Sequence, residues 1–316
     1  MKGFPVFDGH VDTIQKVLDD GADLDAGVPG GQVDFDRLEE GGVRILCFAC
    51  WVSPDYLPDR CFERAVSLLE AVHDLAARHP RRMAVAKTMA EAEGIAGSGR
   101  LAAVLGVEGG HAIEGDPGKL ERFAELGVRY MTLTWNNHLP WAESCRERTA
   151  GAPVGLTAFG RKVVERMAGL GIAADLSHAS PRTFADVLEM DVPPPLCSHS
   201  ASSSVHEHCR NLSDGQIEAL AARGGVVGLT FVPGFLASSG KADLRTVLRH
   251  AERILSVGGE RVLGIGSDFD GIERGPEDLE DCSRIPCLLE ALRLGEEAEY
   301  LVASRNLMRV LEAWEV

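Results

Sequence analysis

The sequence predicts an α/β fold, and within that class a (β/α)8 TIM barrel. Three observations lead to this prediction. First, short apolar runs alternate with longer amphipathic segments along the 316 residues, and eight of the apolar runs have the length of a strand. Second, runs such as 101–107 are apolar without interruption, as expected for parallel strands covered on both faces. Third, no glycine-rich phosphate-binding motif follows the first run, which disfavours an open doubly wound sheet.

The predicted strands and helices follow one another with short connections. The eight strands begin near Pro5, Val43, Leu101, Val128, Ile172, Leu196, Gly225 and Val262. The main helical patterns, with apolar residues three or four positions apart, cover 36–40, 59–78, 119–126, 157–170, 181–189, 214–223 and 244–257. We expect an extra strand over 83–86 outside the ring, a Gly- and Asp-rich loop over 19–32, and three closing helices within 285–314. We therefore predict one barrel domain over residues 1–316 with C-terminal helices.

Composition and charge exclude several classes of function. The net charge is −16 and the pI is near 5.1, so the chain lacks the excess of Lys and Arg that nucleic acids or anionic membranes require. No stretch approaches the roughly 18 apolar residues of a membrane span, and residues 1–5 enter the first strand without the apolar core of a signal peptide. We therefore expect a cytoplasmic protein whose eight cysteines are thiols. Cys47 and Cys50 lie in an apolar run, which favours a buried strand over a zinc or redox motif.

Polar side chains with ligand chemistry follow five of the eight predicted strands. A barrel carries its functional groups at the C-terminal ends of its strands, so these side chains are expected to converge. They are His10 and Asp12 after the first strand, Glu108 after the third, His178 after the fifth, His199 after the sixth and Asp268 after the eighth. Taken singly, each could be a hydrogen-bonded buried group, but together they indicate a metal site.

The number of these ligands predicts two metal ions. Five imidazole and carboxylate ligands from four strands are too many for one structural zinc, which is normally four-coordinate and Cys-rich. A carboxylate can place one oxygen on each of two cations, and Glu108 lies between the two sets in chain order. We assign one metal to His10, Asp12 and Glu108, and the other to Glu108, His178 and His199. This ligand chemistry suits Zn²⁺ best, with Mn²⁺, Fe²⁺ and Co²⁺ left open.

Eight short stretches, in order along most of the chain, also carry a family resemblance. They cover 8–12 (Asp-Gly-His-Val-Asp), 106–111 (Gly-Val-Glu-Gly-Gly-His), 129–134, 140–142, 175–180, 198–200, 210–212 and 266–271. On these residues the chain resembles the membrane (renal) dipeptidase family, a branch of the amidohydrolase-like, metal-dependent hydrolases. The resemblance implies a (β/α)8 fold, two zinc ions, and hydrolysis of dipeptides, including those with a D-residue at the C-terminal position.

The first strand separates this branch from others of the superfamily. Most relatives carry His-x-His there and bridge their metals with a carboxylated lysine, whereas this chain has His10-x-Asp12 and Glu108. Lysine-bridged branches such as dihydroorotases and phosphotriesterases are therefore disfavoured.

The chemistry of such a site suggests a mechanism. Two cations about 3.5–4 Å apart can hold a bridging water, lower its pKa so that it attacks as hydroxide, and polarise the scissile carbonyl. Asp268 is predicted to accept the proton of that water and to deliver it to the leaving amine as general acid and base. In relatives the matching aspartate also contacts the free amino group of the substrate. Asp270, in contrast, is expected to cap the following loop.

Arg210 matches the family arginine that binds the C-terminal carboxylate of the substrate. A guanidinium pairs with a carboxylate through two hydrogen bonds, which would select dipeptides with a free C-terminus over longer chains. Position alone would suit a surface arginine equally well, so this role rests on the resemblance.

One position departs from the family pattern. Mammalian members have a histidine directly after the Leu-Thr pair, where it stabilises the oxyanion, and this chain has Trp135. An indole N–H donates one neutral hydrogen bond and cannot carry the charge of an imidazolium. Either the metals carry more of the oxyanion charge, or His138 reaches the substrate from three residues further on. His111 is interpreted as a structural residue near the site.

Two alternatives remain open. A binuclear metal hydrolase of another small amide, an N-acyl amino acid or a lactam would use the same site. A non-catalytic protein would bind metal without hydrolysis. The family often forms homodimers, so the resemblance also implies a possible homodimer.

Overall fold

The predicted (β/α)8 barrel is confirmed by a computed structural model, which describes residues 4–238 and 240–316. Residues 1–3, with which the predicted domain begins, lie outside the described part. The strands are β1 Val6–Val11, β2 Val43–Trp51, β3 Met83–Val85, β4 Leu101–Glu108, β5 Val128–Thr132, β6 Ala173–Asp175, β7 Leu196–Ser200, β8 Val226–Leu229 and β9 Leu263–Ile265. All strand pairs are parallel. Pairing of β2 with β4 closes the ring of eight, so every ring strand has two neighbours.

The short strand β3 lies outside the ring, as the sequence predicted. It pairs only with the first three residues of β4, from Met83 opposite Leu101 to Val85 opposite Ala103. The C-terminal half of β4 pairs with β5 on that side. The strand ends that face the site are therefore formed by the eight ring strands alone.

Within residues 4–238 and 240–316, thirteen α-helices surround the strands or extend the loops. They are α1 Thr13–Asp20, α2 Phe35–Glu40, α3 Cys61–Arg78, α4 Met89–Gly97, α5 Lys119–Leu126, α6 Ala158–Gly169, α7 Pro181–Leu188, α8 Asp214–Ala222, α9 Pro233–Leu236, α10 Leu244–Gly258, α11 Ile285–Ala291, α12 Glu296–Tyr300 and α13 Asn306–Ala313. Short 3₁₀ segments cover Pro54–Tyr56, Gly110–Ile113 and Cys282–Arg284, and one π-helical turn covers Leu301–Arg305. Among these described helices, none combines the length and apolar composition that a membrane span requires.

Three helices, α1, α4 and α9, were not predicted, and α1 shifts a predicted loop. Helix α1 begins directly after Asp12 and includes residues 19 and 20, so the loop predicted over 19–32 begins only at Gly21. Gly21 ends the helix in the left-handed conformation, with φ of 67°, which glycine adopts without strain. Helix α4 is short and has apolar residues on several sides, so it lacks the one-sided pattern on which the prediction relied.

Side-chain caps determine where several helices begin. The side chains of Asp34, Thr157, Ser180, Ser213 and Asp243 each accept a hydrogen bond from a backbone N–H in the first turn of the helix that follows. At α8 the Ser213 side chain and the side chain of Gln216 cap each other's backbone. These caps satisfy N–H groups that have no partner within the helix.

The core explains the continuous apolar runs. All eight residues of β4 are buried, because the barrel interior covers one face and the helices cover the other. Cys47 and Cys50 are fully buried within β2, and all eight cysteines are free thiols, in agreement with the interpretation of this run as a strand.

Close approach inside the barrel depends on glycine at two neighbouring strand positions. A Cβ atom on Gly228 would collide with the carbonyl of Ser198 and come within 3.2 Å of the Cα atom of Gly266. A Cβ atom on Gly266 would collide with the same carbonyl. At these two positions the backbone of β8 and of the residue after β9 therefore lies close to the Ser198 carbonyl of β7.

We predict that Gly228→Ala destabilises the protein by about 1–3 kcal/mol or more, because the added methyl group has no space and the strands must separate. Gly94→Ala is the matched control. Gly94 is exposed within α4 and its added Cβ meets no described atom within 4 Å, so we expect a gain of about 0.5–1 kcal/mol. Urea unfolding of both variants measures the two effects. Equal free energies of unfolding would contradict the packing argument.

Candidate active site

The five predicted metal ligands converge at the C-terminal end of the barrel. His10, Asp12, Glu108, His178 and His199 are all at most 5% exposed. His10 lies near the end of β1, Glu108 ends β4, and His199 is the penultimate residue of β7. Asp12 directly follows β1, and His178 lies three positions after the end of β6. Parallel strands end at the same rim, which brings together side chains that are far apart in sequence.

Glu108 lies at the centre of the cluster, and its two oxygens face different partners. Oε2 is 3.6 Å from Nε2 of His10, and Oε1 is 2.9 Å from Nε2 of His178 and 3.4 Å from Nε2 of His199. The Nε2 atoms of His178 and His199 are 3.1 Å apart. Oε2 of Glu108 therefore lies nearest His10 and Oε1 nearest His178 and His199, while the rings of His10 and His199 are themselves only 3.8 Å apart between centres.

Asp268 joins the cluster on the side of Asp12. One ligand atom from each of His10, Asp12 and Asp268 lies within 4.8 Å of the other two, as is also true of His10, Glu108 and His199. The backbone of Asp268 has φ of 66°, which is uncommon for a residue other than glycine and is found most often in turns and at functional sites. Its N–H donates a hydrogen bond of 3.0 Å to the carbonyl of His10, which fixes this turn to β1.

Three carboxylates that are buried close together shift the pKa values of the groups in the cluster. Burial and the charge of Glu108 raise the pKa of Asp12, and burial raises that of Asp268. Burial lowers the pKa of His10, but the hydrogen bond with Glu108 and the charges of the carboxylates outweigh it and raise the pKa to about 10. Burial raises the pKa of Glu108, but the imidazoles of His10 and His178 outweigh it and hold this pKa far below its usual range.

His178 and His199 differ from His10 in their electrostatic surroundings. Burial and the nearby Arg210 lower the pKa of His178 to about 4, and burial with the charge of His10 lowers that of His199. Both are therefore neutral imidazoles, the form that coordinates a metal.

The residues present fit a divalent metal site. Nε2 of His10 is buried without a hydrogen-bond partner among the described residues, and it points toward two carboxylates at 3.6 and 3.8 Å. Nitrogen and oxygen donors without a thiolate match zinc and other first-row divalent ions. A cation in this place would also compensate the excess of negative charge.

A cavity of about 610 Å³ opens above the cluster, which is enough for a small peptide. Its walls are partly aromatic and apolar and partly charged. They include Gln15, Lys16, Asp19, Asp20, Trp51, Trp135, Asn136, Val232, Phe235, Asp268, Asp270 and Ile272.

Arg210 is buried beside this cavity and is not among the residues that line it. It is 1% exposed, its guanidinium lies 5.3 Å from the centre of the Phe235 ring, and one nitrogen donates 2.9 Å to the carbonyl of His199. Its Nε and Nη1 atoms are buried without acceptors among the described residues. Arg210 therefore has two unused donors next to the wall formed by Phe235.

Trp135 and His138 have different positions. The Trp135 ring lines the cavity, with its centre 6.2 Å from that of His178 and 5.2 Å from that of Trp51. His138 is not among the lining residues. Its Nδ1 accepts a hydrogen bond from the N–H of Ser144, and its Nε2 donates one to the carbonyl of Glu147. His138 thus stabilises its own loop.

Two further residues have structural roles in the folded chain. Asp270 accepts hydrogen bonds from the hydroxyl of Thr13 at 2.6 Å and from the N–H of Gln32 at 2.8 Å, so it connects three loops at the rim. His111 donates from Nε2 to the carbonyl of Val52 at 2.8 Å. The contact of His111 agrees with its interpretation as a structural residue, whereas Asp270 bonds distant segments and not the following loop that it was expected to cap.

Sequence reasoning missed the aromatic walls of the cavity. Trp51 is the last residue of β2 and pairs in register with Glu108, so the strand-end rule alone could have identified it. Phe235 lies in α9, which is only four residues long and gives no periodic signal. Its position beside Arg210 depends on how the β8 loop folds back.

The chain is similar to known proteins over its whole length. Residues 1–316 match the family described as membrane dipeptidase, peptidase family M19. Dipeptidase 3 of Homo sapiens is 36% identical over 323 residues, which cover 98% of this chain and 65% of that protein. An uncharacterized dipeptidase of Schizosaccharomyces pombe is 33% identical over 269 residues, covering 81% and 65% of the two chains. The chain thus spans about 65% of the length of these curated relatives.

A solved structure agrees over a larger share of both chains. A metallopeptidase from Rhodobacter sphaeroides, liganded with a phosphinate mimic of the dipeptide L-Ala-D-Ala, superposes with a TM-score of 0.90 at 28% identity and covers 99% of each chain. The resemblance found in the sequence is thereby confirmed. Because the family match runs from residue 1 to residue 316, the chain belongs to the membrane dipeptidase family, peptidase family M19.

Proposed function

We propose that this protein is a zinc-dependent dipeptidase that hydrolyses the peptide bond of dipeptides with free amino and carboxyl termini, including L-D dipeptides. The proposal rests on the position of Glu108. Its Oε2 lies nearest His10, and its Oε1 lies nearest His178 and His199. The phosphinate mimic of L-Ala-D-Ala held by the Rhodobacter sphaeroides metallopeptidase supports the L-D part of the proposal.

The proposed ligands are His10, Asp12 and Glu108 for one zinc ion and Glu108, His178 and His199 for the other. Zinc ions bound there would lower the pKa of a water toward neutrality and polarise the scissile carbonyl. The buried carboxylates and imidazoles of the chain supply the donors for this purpose.

Asp268 is the proposed general acid and base. Its carboxyl group lines the cavity and interacts with that of Asp12, so it stands between the metal ligands and the space for substrate. In this role it accepts the proton of the attacking water and then delivers it to the leaving amine nitrogen. It also offers a negative partner for the free amino group of the substrate.

Arg210 is the proposed partner of the substrate carboxylate. Its two unused donors match a carboxylate, and a buried guanidinium pairs with an anion more strongly than an exposed one. Because Phe235 lines the cavity and contacts Arg210, which does not line it, we expect the Phe235 side chain to move when substrate binds.

Trp135 forms a wall of the substrate site next to His178 and leaves more of the oxyanion charge to the metals. His138 has no role in this proposal, because both of its ring nitrogens bond the backbone of its loop. The cytoplasmic location and the homodimer stay predictions of the sequence analysis.

Metal removal tests the cofactor. We expect two zinc ions per chain by elemental analysis, loss of dipeptide hydrolysis after dialysis against a chelator, and recovery on adding Zn²⁺. Undiminished hydrolysis by the metal-free chain would refute the proposal. Cleavage of N-acylated dipeptides as fast as free ones would instead favour the alternative, a hydrolase of other small amides.

Asp268→Asn should lower kcat for L-Ala-D-Ala by about 10²–10⁴, the usual contribution of a general acid or base, while both metals are retained. Asp270→Asn is the matched comparison. Its carboxylate bonds Thr13 and Gln32, so we expect lower thermal stability with only a small change in kcat. The assignment fails if the two variants lose kcat equally.

Arg210→Met should lower kcat/KM for free dipeptides on the order of 10², because losing one partner of a buried charge pair costs about 2–5 kcal/mol. The control is the substrate, since a dipeptide amide lacks the carboxylate. We expect the preference of the unsubstituted enzyme for the free acid over the amide to disappear in the variant. A preserved preference would show that another group binds the carboxylate.

A further inference from the structure

A buried network of hydroxyl groups lies directly beneath the metal ligands and ends on Asp175. This aspartate is the last residue of β6 and is fully buried. Its carboxylate accepts hydrogen bonds from the hydroxyls of Thr132 at 2.6 Å, Ser177 at 2.7 Å and Ser198 at 2.6 Å. It also accepts from the N–H groups of Ser177 at 3.1 Å and Ser198 at 2.8 Å. Five donors therefore converge on one carboxylate, whose oxygens act as the acceptors.

The direction of the bond from Ser198 then determines the proton on His199. Because the Ser198 hydroxyl gives its proton to Asp175, its oxygen is left as an acceptor. That oxygen lies 2.8 Å from Nδ1 of His199 and 3.2 Å from Nδ1 of His10. His199 must therefore carry its proton on Nδ1, and the lone pair remains on Nε2, which faces Glu108.

Tyr130 constrains His10 in the same way. Its phenolic oxygen lies 2.8 Å from Nδ1 of His10 and 3.1 Å from the carbonyl of Gly9. A carbonyl oxygen only accepts, so the phenol donates to Gly9 and accepts from Nδ1–H of His10. The Nε2 atom of His10 is again the one directed at the metal site, where it has no hydrogen-bond partner among the described residues.

We infer that Asp175, acting through Ser198, and Tyr130 are positioning residues that hold His199 and His10 in the Nδ1–H form needed for metal binding through Nε2. Neither Asp175 nor Tyr130 belongs to the proposed ligand set or lines the cavity. The inference rests on the metal site of the proposed function and concerns how tightly that site binds metal. Hydrogen-bond partners behind histidine ligands typically contribute 10- to 100-fold to metal affinity.

Asp175→Asn gives the sharpest test, because it keeps the shape and reverses the hydrogen bonds. The amide NH₂ can donate to Ser198, whose hydroxyl then donates to Nδ1 of His199. The proton of His199 would move to Nε2, where it blocks coordination. Ser198→Ala is the smaller change, which removes the acceptor of His199 without reversing it. Ser200→Ala is the matched control, since Ser200 is buried on the same strand and its hydroxyl has no partner among the described residues.

The measurement is the affinity of the metal-free full chain for Zn²⁺, in competition with a chromophoric chelator. We expect 10- to 100-fold weaker binding for Asp175→Asn and Ser198→Ala, and unchanged binding for Ser200→Ala. Nitrogen-15 NMR of the metal-free chain supplies a second readout. His199 should be protonated at Nδ1 in the unsubstituted chain and at Nε2 in Asp175→Asn.

Two results would overturn the inference: unchanged zinc affinity in Ser198→Ala, or an equal loss in Ser200→Ala. Should Asp175→Asn fail to fold, Ser198→Ala decides alone. Failure of the proposed function is distinguishable, because a chain that binds zinc as described but hydrolyses no dipeptide would disprove the dipeptidase and leave this inference intact.

Discussion

The structure depends on holding the carboxylates of Asp12, Glu108 and Asp268 together at one buried end of a barrel. Like charges at this distance repel, and burial raises the cost of each charge. In the chain itself His10 relieves part of this cost, as the opposite shifts in the pKa of His10 and Glu108 indicate. Because His10 neutralises only part of the negative charge of these carboxylates, the cluster is suited to bind cations.

The barrel supplies this arrangement through backbone packing. Gly228 and Gly266 let two strands approach the Ser198 carbonyl, and Ser198 in turn touches both Asp175 and His199. The proposed metal ligands, the hydroxyls behind them and the glycines below them thus form successive layers of one end of the barrel. Function and close packing are therefore constrained by the same few strands.

The cavity has a polar floor and partly aromatic walls. Trp51 and Trp135 cover the side of His178, and Phe235 covers Arg210 on the other side. The proposed carboxylate partner is therefore shielded from water before substrate arrives, which strengthens a charge pair once it forms. Relatives with a histidine in place of Trp135 would have a more polar wall there.

The sequence by itself determined the strand order, the barrel and the six polar residues at the strand ends, because strand-length apolar runs and the rule of barrel C-terminal ends are local signals. Helix α1 was missed although its eight residues are amphipathic, and Phe235 was missed because the four residues of α9 carry too little periodicity. Only the tertiary structure decided that the two oxygens of Glu108 have different nearest histidines, that His138 bonds its own loop, and that Ser198 connects Asp175 with His199. These facts depend on distances between residues far apart in the chain, and no sequence spacing encodes the direction of a hydrogen bond.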